Sequence, residues 1–147
     1  MSKTMIELSN IKKSYSVAGE ELFILTGISL TINQGDFVAI MGPSGSGKST
    51  LMNIIGLLDT ATSGKYLLDG VDVAQLDDEE LTRFRGESVG FVFQGYNLIP
   101  RVRAVDQVSL PLSYKGVRRS DRRALSVAAL ERVGLGEKIE SFPNQLS

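Results

Sequence analysis

The stretch Gly42-Pro43-Ser44-Gly45-Ser46-Gly47-Lys48-Ser49-Thr50 decides how the rest of this 147-residue chain is read. Two glycines with four residues between them, followed by Lys and Ser, form the pattern of a phosphate-cradling loop. Phosphate oxygens need a concave set of N–H donors, and a glycine-rich loop can turn its backbone inward to supply them. Gly45 and Gly47 tolerate dihedrals that a Cβ forbids, and Gly42, Ser44 and Ser46 complete the cradle. A helix beginning near Lys48 adds its free N-terminal N–H groups and its dipole. Lys48 is expected to reach the β- and γ-phosphates of a nucleotide, the Ser49 hydroxyl to ligate Mg2+, and Thr50 to support the loop through its backbone N–H. The bland alternative is a Gly/Ser turn that binds nothing, but a chance match in a chain this long arises roughly once in a few hundred.

The flanks agree with that reading. The apolar run 37-FVAIM-41 reads as a strand buried on both faces, and 50-TLMNIIGLLD-59 has helical periodicity. Further out, 5-MIEL-8, 22-LFIL-25, 28-ISLTI-32 and 65-KYLLD-69 read as strands, with 89-VGFVF-93 as a second buried one. The segment 77-DDEELTRFR-85 reads as an exposed helix whose acids serve its N-terminal dipole rather than a metal. Residues 104–116 have mixed helical character interrupted by Pro111. Ser120 and Asp121 open a helix over 122–134, with Leu125, Ala128, Ala129, Val133 and the Arg132 stem on its apolar period. Strands with intervening helices indicate an α/β protein.

Composition narrows the chemistry. Lys plus Arg number 16 and Asp plus Glu 17, so a net charge of −1 argues against a nucleic-acid partner. Cys and His are both absent, which excludes disulfides, thiolate or imidazole metal sites, and triads built on His. A hydrophobic share of 42% is too high for a disordered chain. No apolar run reaches the roughly 20 residues a bilayer requires, and the N-terminus has no secretory pattern. A cytoplasmic protein is expected, with any membrane role supplied by a partner. The run from Lys115 to Arg123 carries a local charge of +4; the solvated start of a helix is favoured over a surface for acidic lipid.

With the loop and its neighbours laid out, the chain resembles the nucleotide-binding domain of ABC transporters. The resemblance runs through Tyr15 in 11-IKKSYSV-17, the stretch from Gly27 to Gly70, the segment 89-VGFVFQGYNLIP-100 and the terminal 143-PNQLS-147. The segments 94-QGYNLIP-100 and 108-VSLPLSYKG-116 resemble the branch of lipoprotein-releasing and macrolide-export transporters; Arg103 and Gln107 depart from that branch's usual small hydroxyl residue and asparagine. The resemblance implies a P-loop NTPase core sheet with an N-terminal antiparallel β piece and the start of a helical subdomain. The β piece and core would span about 1–93, and the Q-loop and helical start about 94–147. It implies that Tyr15 stacks on adenine, which suits a flat polarisable ring. It implies that Gln94 contacts Mg2+ and the attacking water, a role an amide can fill as donor and acceptor.

The same resemblance implies ATP and Mg2+ as cofactors, a transmembrane permease contacted through 94–116, and a second nucleotide-binding domain in a dimer. The protein would then lie on the inner face of the membrane. Tyr96, Leu98 and Ile99 are placed equally well on the partner-facing surface or in the chain's own core. Leu146-Ser147 look like the first letters of the family signature; the Asp-Glu strand and the switch His of the family have no counterpart in the sequence. The expectation is therefore a truncated ATP-binding subunit, with 37–41 as an exposed apolar edge where the missing strand would pair. ATP hydrolysis is the family's activity, whereas the absent carboxylates point to a non-catalytic nucleotide-binding fragment as the alternative. A P-loop kinase or GTPase is disfavoured, because no Asn-Lys-x-Asp pattern is present.

Overall fold

The computed structural model describes residues 2–95 and 97–146, which form two compact units, 1–91 and 92–147. The first unit is built on an antiparallel sheet of strands β1 (Thr4–Val17), β2 (Glu20–Asn33), β3 (Ser63–Leu68) and β4 (Val71–Asp72), in the order β2-β1-β3-β4. Beneath it lies helix α1 (Lys48–Ile55), with α2 (Asp78–Ser88) further along the chain.

β1 is far longer than the four residues expected from its apolar run, and its irregularity explains why. Leu8 and Ile11 are three positions apart, so a regular strand would aim them at opposite faces. A bulge at Asn10, which takes φ 52°, brings both inward, at 2% and 0% exposure. The two runs at 22–25 and 28–32 likewise join as one strand, β2, paired with β1 at Ile6↔Ile32, Leu8↔Leu30 and Ile11↔Ile28. β3 and β4 are joined by Asp69-Gly70, both with positive φ, which suits a tight hairpin. The core gathers Leu8, Ile11 and Leu25 from the sheet, Leu51, Ile54 and Leu57 from α1 and its exit, and Tyr66 and Leu68 from β3. Burial pushes the Tyr66 phenol up to about 12 while its hydroxyl donates to the Ile55 carbonyl at 2.7 Å.

The buried strands expected at 37–41 and 89–93 are not found. Neither segment belongs to a ladder, and Phe37 is 99%, Met41 87% and Val92 100% exposed. A strand is defined by its hydrogen-bonded neighbours, and no strand among the described residues pairs with either run. Ile40 and Val89 alone of these runs pack on the core, and Phe91 lies against Gly56 at the end of α1. The helix expected over 77–85 forms as α2, Asp78–Ser88: Asp77 caps it by accepting from the Glu80 N–H at 2.8 Å, and the Glu80 carboxylate accepts from the Asp77 N–H at 3.1 Å.

The second unit is a helical pair, α3 (Ala104–Tyr114) and α4 (Arg119–Arg132). Pro111 lies inside α3 without ending it, because its missing N–H costs the helix one bond near its C-terminus. The inward face of α4 differs from the expected one. Ser126 and Leu130 are buried and Val127 packs beside them, whereas Leu125, Ala128, Ala129 and Val133 are exposed. The face is turned by one residue, about 100°. Ser126 is small enough for close packing, and its hydroxyl is satisfied by the Arg122 carbonyl at 2.7 Å. The basic run sits at this helix start, where Arg123 binds Glu140 at 2.5 Å and Arg103 binds the same carboxylate at 2.7 Å. The two guanidiniums, through hydrogen bonds and charge, hold the Glu140 carboxyl below its ordinary range.

Candidate nucleotide-binding site

Residues 42–47 form the connection into α1, and backbone geometry explains the glycines there. Gly47 is the N-cap of α1 at φ 86°, a left-handed conformation, and a Cβ on it would meet Leu25 Cδ2 at 2.8 Å and the Ile24 carbonyl at 3.1 Å. Gly45 takes φ 80° with no neighbour within 4 Å, so conformation alone favours glycine there. The first helical bond is made by the Leu51 N–H to the Gly47 carbonyl at 2.9 Å. The N–H groups of Lys48, Ser49 and Thr50 therefore have no carbonyl one turn back to receive them.

These donors open on a cleft of about 590 Å³ lined by Ile24, Ser44, Gly45, Gly47, Lys48, Ser49 and Thr50. No acidic side chain lies in the first turn of α1 or in that lining. Lys48 folds back over the loop, its Nζ donating to the carbonyls of Gly42 at 2.8 Å and Pro43 at 2.6 Å and approaching Ser46 Oγ at 3.4 Å. An ammonium thus lies beside a set of helix N-terminal donors, an arrangement that attracts a polyanion. The donor set fits a nucleotide's phosphates, and the Ser49 hydroxyl, exposed on the cleft, fits a hard cation held mainly by phosphate oxygens.

Tyr15 is on β1 in the same unit, 41% exposed. Its hydroxyl donates to Asp59 Oδ2 at 2.7 Å, and the Lys13 ammonium lies over its ring, 4.8 Å from the centroid. The hydrogen bond to Asp59 pushes the phenol above its ordinary value, with burial adding to the effect. Burial pulls the Asp59 carboxyl the other way, but hydrogen bonds from Lys13 and Tyr15 outweigh it and leave the group below its usual value. Lys13 and Asp59 went unnoticed in the sequence; an acid after an apolar helix and a Lys two before a Tyr carry no signal by themselves.

Gln94 belongs to the second unit, exposed in a stretch without regular structure. Tyr96 and Ser147 lie outside the described residues. Leu98 is half-buried and Ile99 is 49% exposed, its N–H donating to Gln107 Oε1 at 2.9 Å. Gln107 also donates to the Val102 carbonyl at 2.9 Å, so this departure from the branch pattern holds the 99–102 turn onto α3. Leu146 packs on the α3–α4 core.

A family model described as "ABC transporter" matches residues 25–147. The chain belongs to the ABC transporter family. The uncharacterized ABC transporter ATP-binding protein YknY of Bacillus subtilis is 50% identical over 143 residues, covering 97% of this chain and 62% of that protein. The macrolide export ATP-binding/permease protein MacB of Syntrophobacter fumaroxidans is 50% identical over 145 residues, 97% of this chain and 20% of that protein. Among solved structures, the dimeric post-hydrolysis state of the ATP-binding cassette MJ0796, bound to ADP and Pi, matches with a TM-score of 0.84 and 42% identity over 97% of this chain and 63% of that one. The ABC-type chain thus spans 62% of the length of the YknY relative. Among its described residues no helix is long and apolar enough to cross a membrane.

Proposed function

We propose that this chain is the ATP-binding part of an exporter-type ABC transporter subunit, taking Mg–ATP at the 42–50 loop to energise a membrane permease. The observation that carries the reading is the open cleft at the start of α1, where unbonded N–H groups and Lys48 face solvent with no acid among them. Lys48 exchanges its bonds to the Gly42 and Pro43 carbonyls for β- and γ-phosphate oxygens. Ser49 would hold Mg2+, which would supply neutralisation of the phosphate charge there.

Gln94 is assigned, by family resemblance, to the metal and the attacking water, and Tyr15 to the base. Residues 94–116 are assigned to the permease contact, and a second copy or a homologous domain to the nucleotide dimer; the dimeric MJ0796 cassette supports that pairing. The name of the MacB relative, an export ATP-binding/permease protein, supports an export role with a permease partner; a place at the inner face of the membrane is assigned by family resemblance.

Isothermal titration of the chain with Mg–ATP tests the central assignment. Lys48→Ala is expected to weaken binding at least about 10-fold, since a charge-assisted bond to phosphate is worth about 1.5–3 kcal/mol. Unchanged affinity in that variant would refute the phosphate-loop assignment.

A further inference from the structure

Two contacts hold the Tyr15 ring. Its hydroxyl donates to Asp59 Oδ2 at 2.7 Å, and the Lys13 ammonium lies over one face, 4.8 Å from the centroid. Lys13 is itself 8% exposed and fully engaged, donating to Asp59 Oδ1 at 2.6 Å and to the Thr60 carbonyl at 2.7 Å. Asp59 is in turn fixed from two sides. Its Oδ1 accepts from the Thr60 N–H at 2.7 Å, and its own N–H donates to the Asn53 carbonyl, inside α1, at 3.2 Å. The helix that presents the phosphate loop at one end therefore carries, beyond its other end, the carboxylate that pins the aromatic ring.

We infer that Asp59 and Lys13 are positioning residues for the nucleotide base: they lock the Tyr15 ring at a set orientation relative to the phosphate loop, with the face opposite Lys13 assigned to the purine. The inference rests on the proposal that Tyr15 stacks on the base. A ring free to rotate on a strand end pays ordering entropy each time a base binds, whereas a pinned ring has paid it on folding. The Lys13 charge over one face favours that ring orientation by a cation–π contact. Asp59 touches neither base nor phosphate in this scheme, so its removal weakens only the contribution that the base makes.

The test compares the affinity for Mg–ATP with that for inorganic tripolyphosphate, which engages the loop and lacks a base. Asp59→Ala is expected to weaken Mg–ATP about 3- to 10-fold and tripolyphosphate by less than about 2-fold. Tyr15→Phe keeps the ring and loses the pin, so it should reproduce the Asp59→Ala loss. The double variant should be no weaker than Asp59→Ala alone, because the bond that Tyr15→Phe cuts is already absent there. Thermal denaturation checks that each variant is folded, and Tyr15→Phe carries the test if Asp59→Ala is not. Equal losses for both ligands, or additive losses in the double variant, would overturn the positioning role and leave Asp59 a stabilising residue only. If Tyr15→Ala leaves the ratio of the two affinities unchanged, the stacking assignment itself falls and the positioning role falls with it.

Discussion

Replacing Gly47 by Ala separates two costs that the 42–50 loop combines. Gly47 caps α1 at φ 86°, where an L-residue pays about 1–2 kcal/mol in backbone strain. Its Cβ would also stand 2.8 Å from Leu25 Cδ2 and 3.1 Å from the Ile24 carbonyl. Leu25 is 4% exposed in the core and Ile24 is held in β2, so neither retreats freely, and overpacking of this kind adds about 1–3 kcal/mol. The expected loss is about 2–5 kcal/mol, a fall in Tm of about 6–15 °C for a chain of this size. Gly45→Ala is the internal control: it shares the positive φ, at 80°, but meets nothing within 4 Å. It should cost about 1–2 kcal/mol, the backbone share alone. Urea unfolding followed by circular dichroism reads both. Equal losses for the two variants would refute the claim that Gly47 is constrained by contact as well as by conformation, and losses under about 0.5 kcal/mol for both would refute the conformational argument too.

Three further outcomes follow from the same geometry. A Cβ on Gly56 would sit 1.9 Å from Phe91 Cζ, so Gly56→Ala should cost about 1–3 kcal/mol by overpacking, and adding Phe91→Leu should recover part of it in the same unfolding assay. Asp77→Ala removes the capping box of α2 and should cost about 1 kcal/mol, lowering Tm by about 2–4 °C in a thermal melt. Asp59, whose carboxyl lies below its ordinary value of 3.8, contributes stability that is present above that value and lost as pH falls through the lower folded one. Acid unfolding should therefore steepen below about pH 4, and Asp59→Asn should flatten that limb; an unaltered acid limb would count against the network.

The features legible in the sequence are those settled within a few residues. The loop at 42–50 was readable because a positive φ and a close approach each demand glycine at a particular place, and a helix start demands unbonded donors. The acids at 77–80 were readable as a helix start because the capping box is a contact between residues three apart. The family followed from the order of such segments along the chain, and the match over residues 25–147 agrees.

Where local pattern was the sole guide to burial, the structure differs. Phe37 to Met41 have the composition of a core strand, but a ladder needs a neighbour, and none of the described strands pairs there. The α4 helix has two overlapping apolar stripes, and packing against α3 selects the one that holds Ser126 because a small, self-satisfied hydroxyl permits close approach. The bulge at Asn10 is a third case, since only the need to bury both Leu8 and Ile11 against the same helix explains it.

Sequence by itself determined the glycine positions of the 42–50 loop, the helix starts and the family, since each depends on backbone chemistry between near neighbours. Tertiary structure alone decided which apolar runs become strands, which face of α4 turns inward, and that Lys13, Tyr15 and Asp59 meet. Asp59 is 44 positions from Tyr15, and only the pairing of β1 against the exit of α1 closes that distance to a 2.7 Å hydrogen bond.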